Sequence, residues 1–221
     1  MFFLPFMLVY FLLFFFFLLL IFLFVQIGLL SIAFHKLGIS PQYLLLLLFM
    51  SLLGSMVNIR LARLKGPVMM EEKPISLWGF RYRIPLSRAN ETTVAINVGG
   101  ALIPIFLSLY LWAGLHFTWK VVAAVVVMSL VVSRLARPIK GVGIAVPFFI
   151  PPILAALLAI LLAPEVSPRV AYISGTMGVL IGADILNLRK LKELGAPVAS
   201  IGGAGTFDAI FLTGIIAVLL A

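Results

Sequence analysis

The stretch GGAGTFDAIFLTGIIAVLLA, residues 202–221, decides the fold class of this chain. It joins a glycine-rich lead to an apolar run, and it carries a carboxylate, Asp208, near its beginning. A bilayer core about 30 Å thick requires about 20 apolar residues in a spanning helix. The stretch is therefore interpreted as the last of several membrane-spanning helices.

Comparable apolar stretches make up most of the chain. Hydrophobic residues account for 64% of its 221 residues and charged residues for only 10%, a composition that excludes an ordinary soluble domain. The sequence predicts an all-α, polytopic transmembrane helix bundle of about seven spans, which forms a single integral membrane domain over 1–221. The spans are expected at roughly 3–33, 42–61, 93–115, 120–136, 142–163, 169–188 and 198–221.

The basic residues predict the orientation of the spans. Thirteen of the 16 Lys and Arg residues lie in the connections that follow the second, fourth and sixth spans. Because cytoplasmic loops are enriched in Lys and Arg, the N-terminus is expected inside and the C-terminus outside. The net charge of +9 then indicates anionic lipid headgroups as partners of these loops, and not nucleic acid. The predicted location is the cell membrane, in a multi-pass arrangement.

The longest polar connection, 63–92, is predicted to be a cytoplasmic interfacial loop. Its FRYRI core, 80–84, alternates aromatic or aliphatic residues with arginine, which is typical of a short strand or hairpin. The expected role is an anchor of aromatic and Arg side chains against the inner leaflet. The chain has no cysteine, which excludes disulfides and thiolate metal sites. No cofactor and no metal site is predicted.

Asp184 and Asp208 are the only aspartates of the chain, and both fall inside predicted spans. A carboxylate inside a membrane is a functional-site hypothesis by default. The helical rise places them about 7 to 8 Å and about 10 Å below the inner surface. At matching depth on neighbouring antiparallel helices, the two groups can share one proton and act as an acid and a base. Alternatively, each caps a helix, forms a salt bridge with a basic loop residue such as Arg189, or meets a polar partner such as Asn97 or Asn187.

Three predicted spans contain residues that break helices near the inner side. Each glycine in a helix costs about 1 kcal/mol relative to alanine, and an internal proline removes a hydrogen bond. Irregular backbone at membrane depth must be covered by protein or line a watery cavity. The breaks therefore indicate a shared cavity, with helix kinking or close packing along the stripe Ser174, Gly178 and Gly182 as the alternative. The breaking residues are Gly99, Gly100 and Pro104; Pro147, Pro151 and Pro152; and Gly202, Gly203 and Gly205, with Thr206 as a cap.

Two aspartates on consecutive spans, the second after the glycine-rich turn of GAGTFD, resemble the intramembrane aspartyl proteases presenilin, signal peptide peptidase and prepilin peptidase. In this chain two residues separate the GAG from Asp208, whereas those families have none. The resemblance implies that Asp184 and Asp208 are catalytic and activate water. The whole stretch from GVGIAVPFFIPP to SIGGAGTFDAIFLTGIIAVLLA also resembles an uncharacterised prokaryotic family of polytopic membrane proteins.

Three functions are consistent with these residues. The first is an intramembrane aspartyl hydrolase that cleaves a membrane protein or peptide. The alternatives are a proton- or Na⁺-coupled transporter of a small solute that uses the same Asp pair, and a non-catalytic membrane assembly subunit. The residues expected to line the site or approach a substrate backbone are Gly202, Gly203, Gly205, Thr206, Asn187, Asn97, Pro151 and Pro152.

Overall fold

The computed structural model of the chain describes all but a few short segments of it. The described residues are 4–40, 42–65, 70–77, 80–87, 91–115, 118–139, 143–188, 190, 198–203 and 205–221. All structural statements below concern these residues.

Most of the described chain is helical, as the sequence predicts. Two helices are continued by π-helical segments, in which each backbone N–H bonds to the carbonyl five residues earlier. One segment, Val98–Leu102, precedes the third helix, and the other, Leu180–Ile185, follows the sixth. The α-helices are α1 (Leu4–Leu37), α2 (Gln42–Ser55), α3 (Ile103–Ala113), α4 (Thr118–Leu135), α5 (Ile150–Leu162), α6 (Ser167–Val179) and α7 (Phe207–Leu220).

The structure also contains β-strands, so the prediction of an all-α fold is wrong in this part. The strands are β1 (Asn58–Lys65), β2 (Met70–Leu77), β3 (Phe80–Ser87), β4 (Glu91–Asn97), β5 (Arg137–Ile139), β6 (Gly143–Ala145) and β7 (Val198–Ile201). A three-stranded sheet has the order β1, β4, β7; β4 pairs antiparallel with β1 and parallel with β7. We call the part of the molecule that holds this sheet the sheet end.

The predicted interfacial loop 63–92 has regular structure over most of its length. β2 and β3 form an antiparallel hairpin in which Tyr82 lies opposite Ile75, which confirms the strand or hairpin predicted at FRYRI. The β-branched run of β4, ETTVAIN, pairs with β1 along its whole length. The sequence does not predict β1 and β4, because their apolar residues equally suit the ends of the neighbouring spans.

One helical segment, Phe11–Leu37, is long and apolar enough to cross a membrane, judged over the described residues. The other apolar helices are shorter, at Leu46–Ser55, Val98–Ala113, Ile150–Leu162 and Phe207–Leu220. They are shorter than the predicted spans because strands replace the ends that face the sheet. Span 93–115, for example, begins as β4, and span 198–221 begins as β7.

Pro151 and Pro152 lie in the first turn of α5 and are buried. Proline is favoured there because the first backbone N–H groups of a helix have no intrahelical partner. The expected break in span 142–163 is confirmed, since the helix starts only at Ile150 and follows the extended β6. The two prolines therefore begin the helix and do not kink it.

Helix α6 forms the centre of the bundle and packs against α3, α4, α5 and α7. Its predicted stripe of small residues allows this close packing. A Cβ on Gly178 would overlap the side chain of Met128, and a Cβ on Gly182 would overlap the backbone of Ser129, both on α4. The carboxyl end of α6 and the π-helical segment after it are therefore held tightly in place, and Asp184 lies in that segment.

Two basic residues join helix ends on the side of the bundle opposite the sheet. The Lys36 ammonium donates to the carbonyl of Leu219 at the end of α7 (3.0 Å). The Arg169 guanidinium donates from Nε to the carbonyl of Leu37 at the end of α1 (3.2 Å). The last carbonyls of a helix carry partial negative charge, and cations stabilise them. These residues therefore cap helices, a role that the sequence analysis did not assign to them.

We expect Arg169→Met to lower the free energy of unfolding by about 1 to 2 kcal/mol, because the last carbonyls of α1 lose a charged donor while the apolar part of the side chain remains. Thermal unfolding of the purified protein in detergent measures this change. Arg137→Met is the matched control, since Arg137 is exposed in the short strand β5 and lies at no helix end. Equal melting of the two variants would contradict the capping role.

Candidate functional site

Asp184 is a buried carboxylate at the end of the π-helical segment that follows α6. Its side chain is 1% exposed. The carboxylate oxygen Oδ2 accepts two hydrogen bonds, one from the backbone N–H of Gly202 (2.6 Å) and one from the Thr206 hydroxyl (2.8 Å). Asp184 therefore binds both ends of the turn that connects β7 to α7.

The glycines before Asp208 lie in this turn, Gly202–Thr206, and its backbone conformation requires them. Gly202 has φ of 68°, a left-handed conformation that glycine adopts at little cost. The carbonyl of Gly203 accepts from the N–H groups of Thr206 (3.0 Å) and Phe207 (2.8 Å), and so begins α7. The predicted unwinding of the stretch before Asp208 is confirmed. Gly205 lies in the same turn and is half-buried.

A second glycine segment packs directly on the turn. A Cβ on Gly202 would lie 2.6 Å from the carbonyl carbon and oxygen of Gly100. A Cβ on Gly100 would in turn contact the carbonyl oxygen of Gly202. The π-helical segment before α3, the turn before α7 and the π-helical segment after α6 therefore meet at one place, and the buried carboxylate lies there.

Asn97 supports the site from the side of α3 but does not bind Asp184. Its Oδ1 accepts from the N–H of Gly100 (2.7 Å), and its Nδ2 donates to the carbonyl of Ser55 (2.7 Å) and to Oδ1 of Asn58 (3.1 Å). The two bonds from Nδ2 use both N–H donors of the amide, so no donor is left for a carboxylate. The suggestion that Asn97 is the polar partner of an aspartate is therefore wrong, because its partners are the backbone and Asn58.

Asn187 also has a partner other than Asp184. Its side chain is buried, and Nδ2 donates to the carbonyl of Gly182 (2.8 Å). This bond gives a hydrogen-bond partner to a carbonyl of the π-helical segment that follows α6. Arg189, the other suggested partner of Asp184, lies outside the described residues.

Asp208 lies in the first turn of α7 and is exposed. It follows Thr206 by two residues, and side chains two residues apart on a helix point about 200° away from each other. Thr206 is buried against Asp184, so Asp208 is directed to a different side of α7. Among the hydrogen bonds of the described residues, none joins the two aspartates. The shared proton between them stays a prediction.

The arrangement has a definite chemical consequence for a single carboxylate. Hydrogen bonds to an ionised acceptor are roughly twice as strong as neutral ones. Any change in the charge of Asp184 therefore changes how firmly the turn Gly202–Thr206 is bound.

Within the described residues, no cluster of three or more His, Cys, Asp or Glu side chains occurs that could hold a metal ion.

We expect Thr206→Val to lower the free energy of unfolding by about 1 kcal/mol or more, because the buried carboxylate loses one donor while the side-chain volume is kept. Thr206→Ser keeps the hydroxyl and should stay close to the wild type. Thermal unfolding of both variants in detergent measures the difference. Equal loss in both would mean that the methyl group, and not the hydroxyl, is required.

Asp184, Thr206 and the glycines of the site are predictable from the sequence, but Asn58 and Ser200 are not. These two side chains form a hydrogen bond of 2.6 Å between Ser200 Oγ and Asn58 Oδ1. Asn58 lies at the start of β1 and Ser200 within β7, and 142 residues separate them. The only sequence signal was a polar residue at the end of each apolar stretch, which is common at the boundary of a span.

Comparison with known proteins gives one result for this chain. A family model with the description "Protein of unknown function (DUF1614)" matches residues 52–220, which leaves out α1 and includes the whole candidate site. The comparisons with curated proteins and with solved structures gave no match. Nothing in the family description refers to proteolysis, so the likeness to intramembrane aspartyl proteases remains a hypothesis. Because the match spans most of its length, the chain belongs to the DUF1614 family.

Proposed function

We propose that this chain is a multi-pass membrane protein that couples the movement of a proton to that of a small solute, with Asp184 as the residue that binds the proton. The single observation behind the proposal is the buried Asp184 carboxylate, which binds both ends of the turn Gly202–Thr206. Buried carboxylates beside interrupted helices are typical of coupling sites in membrane transporters.

The multi-pass arrangement is supported by large apolar side chains that face away from the bundle. Phe106 and Tyr110 on α3 are 69% and 70% exposed, and Leu161 on α5 is 77% exposed. Extended apolar surface is unfavourable in water and is expected against lipid. In this arrangement the sheet end faces the cytoplasm, as the distribution of Lys and Arg predicts, and anionic headgroups lie beside it.

The coupling follows from the two hydrogen bonds on one carboxylate oxygen. While Asp184 is ionised, the N–H of Gly202 and the hydroxyl of Thr206 bind a charged acceptor. When Asp184 takes up a proton, the same donors face a neutral acceptor, and both bonds weaken. The turn before α7 is then free to move, so protonation favours a conformation that is disfavoured while the carboxylate is charged. A solute that binds only one of the two conformations is thereby coupled to the proton.

The hydrolase hypothesis uses the same region but needs a second carboxylate. Catalysis by an aspartate pair requires both groups to reach one water molecule. Asp208 would have to turn towards Asp184, since it is exposed while Asp184 is buried. We therefore place transport first and keep peptide hydrolysis as a distinct prediction with its own test. A membrane assembly subunit would show neither activity.

The test is proton uptake by proteoliposomes that contain a pH-sensitive dye. Single solutes from a panel of amino acids, sugars and carboxylic acids are added outside, with the membrane potential clamped by valinomycin and K⁺. We expect at least one solute to acidify vesicles with the wild type, and Asp184→Asn to abolish this acidification. Asp208→Asn is the matched control and should retain it.

Three results would decide against proton coupling. Equal acidification by wild type and Asp184→Asn would remove Asp184 as the proton site, and a panel without effect on the wild type would remove the transport proposal. If uptake of labelled solute requires Na⁺ and is lost when choline replaces Na⁺, the coupling ion is Na⁺ and not a proton. In parallel, cleavage of a membrane peptide library that is lost in both Asp184→Asn and Asp208→Asn would establish the hydrolase.

A further inference from the structure

The turn that Asp184 binds is also held by a network of three polar side chains. Oδ1 of Asn58 accepts from Oγ of Ser200 (2.6 Å) and from Nδ2 of Asn97 (3.1 Å). Each of these residues belongs to a different strand of the sheet, β1, β7 and β4 respectively. One amide oxygen therefore joins all three strands.

Asn97 is the fixed member of this network. It is 2% exposed, and it is also bound to Ser55 and Gly100. The backbone beside it is fixed as well, since Val98 donates to the carbonyl of Val57 (3.0 Å). Asn58 is thus oriented by a residue that has no freedom to turn, and its oxygen stays directed at Ser200.

Ser200 is the member that contacts the turn. Its carbonyl accepts from the N–H of Gly203 (3.2 Å). A Cβ on Gly203 would lie 2.6 Å from Cβ and 2.8 Å from Oγ of Ser200, so the serine side chain packs directly over the turn. Strand β7 itself has only four residues and pairs along one edge with β4. The hydroxyl of Ser200 therefore adds a side-chain bond to a short strand at the edge of the sheet.

We propose that the network of Asn58, Asn97 and Ser200 is a latch that positions the turn Gly202–Thr206 against Asp184. The idea rests on the proposed function, in which this turn moves. The latch lies on the open side of the turn, since Asn58 is exposed and Ser200 is half-buried. Release of Ser200 frees β7, and the Gly202 donor then leaves the carboxylate. Asn58, Asn97 and Ser200 are positioning residues and act on the site through the backbone of β7.

Because the chain has no native cysteine, a single introduced thiol reports the opening of β7. Ala199 is the reporter position, since it is 2% exposed beside Ser200 and alanine and cysteine are similar in size. The rate of maleimide labelling of Ala199→Cys is measured in the full chain in detergent. We expect Ser200→Ala to raise this rate roughly two- to tenfold, the range that the loss of one hydrogen bond allows. Ser200→Thr keeps the hydroxyl and should leave the rate near that of the parent.

A second reporter separates a latch from general destabilisation. Ala171 lies in the second turn of α6 and is 0% exposed, so a cysteine there is labelled only when the bundle opens. If the network is a latch, Ser200→Ala raises the labelling rate of the cysteine at position 199 and leaves that of the cysteine at position 171 unchanged. Asn58→Leu should act like Ser200→Ala, and Asn58→Asp, which keeps the acceptor oxygen, should not. Equal rates in Ser200→Ala and Ser200→Thr, or a parallel rise at both reporters, would overturn the latch.

The labelling result does not depend on transport. If Asp184→Asn leaves proton uptake unchanged, the proposed function fails, while the labelling rates still decide whether the network holds the turn. If labelling shows no latch while Asp184→Asn abolishes uptake, the proposed function stands and only the positioning role is lost.

Discussion

Gly202→Ala is expected to lower the free energy of unfolding by about 3 kcal/mol or more. A residue with a side chain pays about 1 to 3 kcal/mol for a left-handed backbone conformation, and Gly202 has φ of 68°. In addition, the new methyl group would lie 2.6 Å from the carbonyl carbon and oxygen of Gly100. The overlap is with backbone, which cannot move away unless β4 or the π-helical segment after it shifts.

Gly28→Ala is the control for this variant. Gly28 lies in the long helix α1, and a Cβ there would meet no atom within 4 Å. Alanine is favoured over glycine in a helix, so this variant should melt at or slightly above the wild-type temperature. Thermal unfolding in detergent, followed by size-exclusion chromatography of the soluble fraction, compares the two. If Gly202→Ala melts with the wild type, the turn does not need the conformation seen here.

Asp184→Ala and Asp184→Asn are expected to separate the structural role of the carboxylate from its chemical role. Alanine leaves the N–H of Gly202 and the hydroxyl of Thr206 without an acceptor in a buried place, at about 1 to 3 kcal/mol for each donor. We therefore expect Asp184→Ala to lose about 2 to 5 kcal/mol of stability. Asparagine keeps an acceptor oxygen and nearly the same shape, so it should fold with little loss and yet fail to take up a proton.

Unfolding measurements and proton uptake are both needed for this pair. Asp208→Ala serves as the control, because an exposed side chain in the first turn of α7 contributes only a fraction of a kcal/mol through the helix dipole. Stability of Asp184→Ala equal to that of Asp208→Ala would mean that the two hydrogen bonds do not hold the turn. Retained uptake in Asp184→Asn would leave Asp184 with a structural role only.

The helical segments and the residues that break them were predictable because they depend on local chemistry. Glycines at 202 and 203 and prolines at 151 and 152 disfavour an uninterrupted helix wherever they occur, and the structure has a turn and a helix start at these places. The hairpin at FRYRI was predictable for the same reason, since alternation of residue types is a property of the strand itself.

The strands β1, β4 and β7 could not be predicted in the same way. Each continues an apolar stretch, and apolar residues at the end of a predicted span suit a helix and a buried strand equally well. The pairing of β4 with β1 and β7 makes these stretches strands and not helix ends, and the paired strands are distant along the chain. The expected spans were too long for this reason.

The sequence by itself determined the apolar character of the chain, its interrupted helices and the rarity of its aspartates, because each is a property of composition or of near neighbours. Only the tertiary structure decided which groups meet. Asp184 binds the turn before α7, Asn97 binds Asn58 and the backbone, and Asp208 is exposed. These partners follow from the direction of each side chain around its helix or strand. That direction is set by packing between segments far apart in sequence.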